Sequence, residues 1–462
     1  MNRRSFVKSS AWVSLGFMGL YSCVNRSGET ATIPKTIKLE PDPGNYLDLP
    51  EGFSYNIISK SGTEMSDGFL VPGRPDGMGT FLNGEGMVVI VRNHENNPEA
   101  LATEALFNSP FGREQDKMEG YLELPIYDAG YRKNPGVGGT TTLIFDETEG
   151  QVKEEYLSLA GTYRNCAGGI TPWGSWLTCE EDVTNGNDEF AEQDHGYVFE
   201  VPAFAKGLAE PKPIKAMGRF NHEAVAVDPQ SSIVYLTEDR SDGLIYRFIP
   251  NSKENMFGGG ILQALVIKGQ KSCDTRNWEE EKVKENEAYE VEWITLENID
   301  TPEDDLRQRG FEAGAARFAR GEGIWMGKGE IFIACTNGGS QKCGQIFRYV
   351  LSENEGEEGE KESPATLELF IESKSKSVLH MCDNLTISPT GDIFICEDNG
   401  ELNRIHLVDQ KGNISLFAVN RYSNSEFAGP VFSPSGKTMF VNIQESGDTI
   451  AITGPWSELK LG

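Results

Sequence analysis

The stretch Cys382-Asp383-Asn384-Leu385-Thr386-Ile387-Ser388-Pro389-Thr390-Gly391-Asp392-Ile393-Phe394-Ile395-Cys396-Glu397-Asp398-Asn399 is written like a β-hairpin. A polar signature leads into an apolar run, a Pro/Gly turn follows, and a second apolar run ends in carboxylates and an amide. The same pattern of roughly twenty residues returns elsewhere in the chain. The other copies run from Asp76-Gly77-Met78 to Asn93-His94-Glu95, from Asn165-Cys166-Ala167 to Cys179-Glu180-Glu181, and from Asn221-His222-Glu223 to Glu238-Asp239-Arg240. Two more run from Gly321-Glu322-Gly323 to Thr336-Asn337 and from Phe427-Ala428-Gly429 to Asn442 and Gln444. A hairpin brings its two outer ends together, so the opening and closing polar residues of each copy share one rim. Repetition of a β unit at this interval predicts a propeller, in which four-stranded blades surround a central channel. The expectation is an all-β fold, a six-bladed β-propeller with small helical and loop insertions, its polar ends aimed at one mouth.

Length and composition agree with one large domain. A chain of 462 residues would ordinarily suggest two or three domains, but a propeller of this size consumes it as one. The 51 glycines, 22 prolines and 38% hydrophobic content suit many short strands and turns around an ample core. Candidate third strands, Gly196 to Val201, Gly243 to Phe248 and Gly344 to Tyr349, share one alternation and each follows a hairpin. Two stretches interrupt the repeat: Glu279 to Arg317, charged with a helical look, and the acidic loop Ser352 to Ser363. Both read as insertions. The net charge of −29 excludes a nucleic-acid partner, because no basic stripe exists to replace phosphate counterions.

The first residues read as an address. Asn2-Arg3-Arg4-Ser5-Phe6-Val7-Lys8 resembles a twin-arginine export signal, and Ala11 to Ser22 is an apolar segment too short for a stable membrane span. Leu20-Tyr21-Ser22-Cys23 resembles a lipobox, which makes Cys23 a candidate lipid anchor. Residues 1–22 are therefore expected to be a signal peptide handled by the twin-arginine machinery, 23–47 a linker, and 48–462 the propeller domain. The expected destination is the periplasm, or the outer membrane or cell surface as a lipoprotein, and the expected state is a monomer. Of eight cysteines, seven remain beyond Cys23, an odd number, so at least one stays a thiol or binds metal.

The rim carries Glu95, Cys179, Glu180, Glu223, Glu238, Asp239, Glu322, Asp383, Asn384, Glu397 and Asp398, with His94, His222, Arg240 and Arg320. Carboxylates dominate, and the whole chain holds only five histidines. That mix fits hard cations such as calcium or ferric iron better than zinc. Cys179, directly before Glu180 and Glu181, is the candidate thiolate for an ion softer than calcium. Arg320-Gly321-Glu322 puts a fixed cation beside the metals, an arrangement suited to a phosphoryl oxyanion. Any single carboxylate at a strand end can equally be a backbone cap; recurrence in most copies is what points to a metal cluster. No serine-hydrolase elbow, Walker loop or dinucleotide fingerprint sits in suitable context.

The run from Asn165 to Glu181, with Gly218-Arg219-Phe220-Asn221-His222-Glu223, Thr237-Glu238-Asp239-Arg240 and Arg320-Gly321-Glu322-Gly323, resembles the PhoX-type alkaline phosphatases from about residue 48 to the C-terminus. The resemblance implies a six-bladed propeller whose Fe3+ and Ca2+ ions release phosphate from small-molecule phosphate esters. It implies that Cys179 supplies the iron thiolate, that Glu322 with Glu223 and Glu238 supply iron and calcium carboxylates, that Asp383 to Asp398 supply calcium ligands, and that Arg320 holds phosphate. Arg320 and Glu322 are the expected catalytic residues; Glu95, Cys179, Glu180, Glu223, Glu238, Glu322, Asp383, Asn384, Glu397 and Asp398 are the expected metal ligands. A calcium-dependent propeller hydrolase of lactonase or phytase type would use the same carboxylates without iron. A surface-anchored binding propeller would keep the fold without turnover.

Overall fold

The computed structural model describes residues 37–97, 108–131, 134–187 and 190–459; the expected export signal and Cys23 lie outside the described residues. Each of the repeats read from the sequence is a hairpin. In chain order these are Pro75–Leu82 with Val88–His94, Asn165–Ile170 with Ser175–Glu180, and His222–Val227 with Val234–Glu238. Gly321–Met326 with Glu330–Cys335, Cys382–Ile387 with Ile393–Glu397, and Phe427–Phe432 with Thr438–Ile443 complete the set. The first strands of successive hairpins lie side by side, and the last, Phe427–Phe432, lies beside the first, Pro75–Leu82, so these strands close a ring. The expected third strands follow as Val198–Pro202, Gly243–Pro250 and Gln345–Val350.

The sheets around this ring are propeller-like, but they do not form six separate blades. Four are blade-like, with three, four, four and six strands, and the fifth has ten. The reason is the strand Ala288–Thr295, placed inside the stretch expected to be a helical insertion. Its C-terminal part pairs with Gly260–Ile267, whereas Ala288 to Glu290 pair with Glu368, Leu367 and Thr366. One strand thus serves two neighbours. The end strands of the merged sheet, His222–Val227 and Gly321–Met326, lie against each other, so the sheet nearly closes like a barrel. Helix is scarce among the described residues: Gln115–Leu122 and Leu306–Ala313 are short.

Closure joins the early and late strands of the described residues. Ser54–Lys60 pairs with Asp448–Thr453, and Leu47–Pro50 pairs with Ile414–Asn420. The folded part begins upstream of residue 48, since Leu39–Glu40 pairs with Leu49 and Pro50. Arg92, fully buried, crosses the seam to Ser59 Oγ (2.9 Å), Thr449 Oγ1 (2.6 Å) and Glu155 Oε1 (2.7 Å). The acidic loop helps to hold the fold, because its Glu355 and Glu360 neutralise the buried Arg247, whose guanidinium lies 4.5 Å from the Trp293 ring.

One irregularity repeats in every hairpin and sets up the site. The pairing register shifts just after the first residues of each ring strand: after Pro75, Asn165, His222, Gly321, Cys382 and Ala428. Two residues then oppose one, the strand bends, and the side chain at the bulge is re-aimed. Glycine permits the ring strands to converge below the bulge. A Cβ on Gly77 would lie 2.6 Å from Ala167 Cα, and one on Gly323 would lie 2.8 Å from the Asp383 carbonyl oxygen. The channel there narrows to a cavity of about 20 Å³. The ends of the hairpins open above it into a polar mouth.

Candidate metal centre

The mouth is a cavity of about 170 Å³ lined by residues from three positions of the hairpins. At the bulges stand Asp76, Cys166, Glu223, Glu322 and Asp383; the last hairpin has Gly429 and Pro430 there and offers no side-chain donor. Just past the paired end of the second strands stand Glu95, Glu181, Asp239, Asp398 and Gln444, with Thr336 in the remaining hairpin. Just before the ring strands stand Arg74, Arg164, Arg320 and Glu426, with Asn221 and Met381 in the other two. The backbone ties the last two positions together: Glu95, Glu181, Asp239, Thr336, Asp398 and Gln444 each donate an N–H to the carbonyl of Arg74, Arg164, Asn221, Arg320, Met381 and Glu426 respectively.

Arg74, Arg164, Arg320 and Met381 adopt φ of +46°, +44°, +53° and +56°. Non-glycine residues are strained there, and such strain collects at functional sites because surrounding structure must hold it. The turn aims the arginines across the mouth. Arg320 is bidentate on Asp239 (2.8 and 2.9 Å) and donates to Glu322 Oε1 (2.7 Å). Arg164 donates to Glu95 (2.9 Å) and to Glu181, and Arg74 to Glu95 (2.8 Å) and Glu445 (3.0 Å). Neighbouring hairpins are thereby linked in a repeating way: Arg164 meets Glu95, Asn221 Nδ2 meets Glu181 (2.9 Å), and Arg320 meets Asp239. The equivalent positions between the last two hairpins hold two carboxylates, Asp398 and Glu426.

Charge in the mouth does not balance. Nine carboxylates face three guanidinium groups. Burial, and then Glu322, Glu181 and Asp383, push Glu223 well above the usual carboxylate range. Glu322 is driven up by burial and Asp239, Asp383 by burial and Glu426, Asp76 by burial and Glu95, and Glu426 by burial and Asp398. Burial raises Glu181 to about 8 against the pull of Arg164. Only Glu95 goes the other way: burial opposes ionisation most strongly, yet Arg74 and Arg164 together hold its carboxyl below the ordinary value. Buried carboxylates crowded together ionise only when cations stand among them.

The donor set fits such cations. Cys166, Glu181 and Glu223 can present one atom each within 4.8 Å of one another, and so can Glu223, Glu322 and Asp383. Glu223 belongs to both groups. Asp76 Oδ1 and Gln444 Oε1 are buried without a hydrogen-bond partner. Oxygen donors suit hard cations, and one thiol adds a soft ligand at one side of the cluster. The histidines stand apart: His94 bonds Gly73 O and Thr141, and His222 stacks on Phe220.

Of the residues expected from sequence, Glu95, Glu223, Glu322, Asp383, Asn384, Asp398 and Arg320 come together in this mouth. Asn384 is already committed, donating to Asp383 Oδ1 and accepting from Gly429 N–H. Cys179, Glu180, Glu238 and Glu397 do not join them. Cys179 is packed among Leu177, Val198 and Phe220. Glu180 accepts from His195 and from the N–H groups of Tyr163, Gly196 and Tyr197. Glu238 accepts from Tyr246 Oη and Leu244 N–H, and Glu397 is clasped by Arg404 and His406. Period-two alternation is the cause for Glu180, Glu238 and Glu397, which sit on the paired residue, one step before the residue that faces the mouth; Cys179 is instead the residue set opposite the bulge of its hairpin. Asp76, Cys166, Glu181, Glu426, Arg74 and Arg164 were not singled out as site residues by the sequence reading. The signal was present. Aligned copies put Arg74-Pro75-Asp76, Arg164-Asn165-Cys166, Asn221-His222-Glu223, Arg320-Gly321-Glu322 and Met381-Cys382-Asp383 in register.

Cations held by carboxylates beside guanidinium groups are the means by which a protein grips a phosphoryl group and withdraws its charge, and that places the chain among the metal-dependent phosphatases. Sequence narrows this further: residues 35–447 match the model of the family described as alkaline phosphatase PhoX, and the chain belongs to that family. Among solved structures it matches Pseudomonas fluorescens PhoX in complex with vanadate, a transition state analogue, at 19% identity and a TM-score of 0.65, over 92% of this chain and 97% of that one. At this identity the likeness is one of fold. A gluconolactonase from Xanthomonas campestris is similar at 10% identity and a TM-score of 0.40, over 92% of this chain and 99% of that one. No curated protein sequence matches.

Proposed function

We propose that this phosphatase hydrolyses phosphate monoesters at a mixed cluster of Fe3+ and Ca2+ ions in the mouth. The observation that carries the reading is the excess of buried carboxylates over guanidinium groups around a single thiol. Cys166, Glu181 and Glu223 suit the iron end, because a thiolate is the softest donor in the mouth. Glu322 and Asp383 extend the cluster from Glu223. Asp398, Glu426 and Asp76 suit calcium, since two carboxylates stand there where the neighbouring hairpins set an arginine or asparagine against one. When bound, the ions would supply Lewis-acid stabilisation of charge on the phosphoryl oxygens. Arg320 and Arg164 would each be freed of carboxylate contacts where those carboxylates held cations, and their planar forks would then suit two phosphoryl oxygens. The narrow neck beneath keeps the phosphoryl group at the mouth.

Export by the twin-arginine route, lipid attachment at Cys23 and a monomeric surface or periplasmic enzyme complete the proposal. Replacing Arg3 and Arg4 by Lys should trap precursor in the cytoplasm; normal delivery of that variant refutes the route. The deciding experiment is metal analysis of natively exported protein with a p-nitrophenyl phosphate assay. Iron and calcium together with turnover support the reading. Calcium alone with turnover points to a calcium-only hydrolase, and no turnover in any metal condition to a binding propeller.

A further inference from the structure

Two of the strained rim residues are each preceded by a backbone N–H that donates to a buried carboxylate of the second strand. Tyr163 N–H reaches Glu180 Oε1 at 3.0 Å, before Arg164; His380 N–H reaches Glu397 Oε1 at 2.7 Å, before Met381. Around Glu180 the support is deeper. His195 Nδ1 lies 2.6 Å from Glu180 Oε1, and its Nε2 lies 3.1 Å from Asp128 Oδ2. Asp128 also accepts from the N–H groups of Gly130, Glu192 and Gln193. The imidazole is fully buried and lies flat on Tyr163, with centroids 3.6 Å apart and planes at 3°. A ring with a carboxylate at each nitrogen satisfies both only when both nitrogens carry protons.

We propose that His195 is a positioning residue for Arg164: as a cation clamped between Glu180 and Asp128, it fixes the Tyr163 ring and backbone and so holds the turn that aims Arg164 at Glu95 and Glu181. The linkage is short. Tyr163 touches the imidazole with its ring and Glu180 with its N–H, and the next residue is Arg164 at φ +44°. The Arg164 N–H donates to Asn96 O and its carbonyl accepts from Glu181 N–H, so the backbone of the turn is also tied on its other side. The inference rests on the reading of the mouth as the phosphatase site.

The test is His195→Asn, whose one amide can reach Glu180 or Asp128 but not both and carries no charge. Assayed well below its melting temperature on metal-loaded protein, it should lose roughly tenfold to a hundredfold in kcat/KM for p-nitrophenyl phosphate, the range seen when a ligand's support is removed. Inhibition by inorganic phosphate should weaken in parallel, with metal content unchanged. Combined with Arg164→Ala, it should add nothing further, because the effect runs through Arg164. Native kinetics and phosphate inhibition in His195→Asn, or full additivity with Arg164→Ala, would overturn the proposal and leave His195 a purely structural brace. If Arg164→Ala itself keeps native kinetics, the role of Arg164 in the site fails instead. Should His195→Asn not accumulate as folded protein, Asp128→Asn loosens the same clamp from its outer side and is read by the same criteria.

Discussion

Glu397 and Asp398 are adjacent in sequence, equally acidic and both set at the end of one strand, yet they belong to different regions of the molecule. Glu397 turns into the protein, where Arg404 (2.6 and 2.7 Å), His406 (3.0 Å) and the His380 N–H (2.7 Å) surround it. Burial works against its ionisation more than any other influence, but His406 and Arg404 hold its carboxyl below the usual value. Asp398 turns to the mouth, where burial raises it and Glu95 and Asp239 push the same way against Arg320. Glu180 beside Glu181, and Glu238 beside Asp239, face the same two ways, the first of each pair into the protein and the second into the mouth. Burial alone therefore does not single out a candidate ligand. A carboxylate crowded by other carboxylates does.

Glu223→Gln is the sharpest way to break the distinction, because Glu223 is common to both candidate ligand groups. Losing a shared ligand should cost more than the 10–100-fold that follows from disturbing a ligand's support, so activity should fall by at least about a thousandfold. In metal-free protein the same change should raise the melting temperature, since the cost of keeping a buried carboxyl protonated at neutral pH is gone. A lowered melting temperature in that state would place Glu223 with Glu397 as a structural acid. Glu397→Gln should do the opposite. Removing one partner of a buried ion pair typically costs roughly 3–5 kcal/mol, so denaturant unfolding should show a loss of that order while metal content stays native. Loss of metal from a still-folded Glu397→Gln protein would contradict this assignment.

The hairpins, their third strands and the sharing of one rim were legible from the sequence because period-two alternation and Pro/Gly turns are local signals. The side a terminal carboxylate faces was not, since a shift of one residue reverses it. Glu180 and Glu397 therefore look like ligands in the sequence although their side chains turn inward, and Glu181 does not stand out from Glu180. The bulge after each first pair was invisible for the same reason, which hid Asp76 and Cys166 although their columns align with Glu223, Glu322 and Asp383. Merging of the sheets depends on Ala288 to Glu290 meeting Thr366 to Glu368, a contact between distant segments that no local pattern encodes.

The brace around Glu180 predicts a pH dependence of stability. Burial alone would lower His195, but Glu180 and Asp128 raise it from the ordinary 6.5 to about 9. Tyr163 and Tyr127 are the other rings against it. A raised folded-state value means that the stabilisation is fully present below about 6.5 and is lost as pH rises through about 9; its size is on the order of 3 kcal/mol. Melting curves of wild type and His195→Asn should lie furthest apart near pH 6 and converge toward pH 10. A gap that does not shrink over that interval would show that the imidazole is held neutral.

The smallest effect separates two cysteines of one hairpin. Cys166 and Cys179 are both buried, and burial raises both thiols well above their ordinary value. Around Cys166 the carboxylates Glu223 and Glu181 add to that rise, and its Sγ can stand within 4.8 Å of an oxygen from each. Such a thiol ionises only with a cation beside it. Cys179 instead behaves as a small apolar side chain among Leu177, Val198 and Phe220. Cys166→Ser should therefore lose iron and any thiolate-to-iron colour while changing stability little, because a hydroxyl is tolerated in a polar mouth. Cys179→Ser places a hydroxyl in apolar surroundings and should cost about 1–3 kcal/mol of stability, with iron content, colour and phosphatase kinetics native. Iron measured at equal circular dichroism decides the matter. Loss of iron from Cys179→Ser with iron retained in Cys166→Ser would reverse the assignment of the two thiols, and with it the rule that the residue at the bulge is the one that faces the ions.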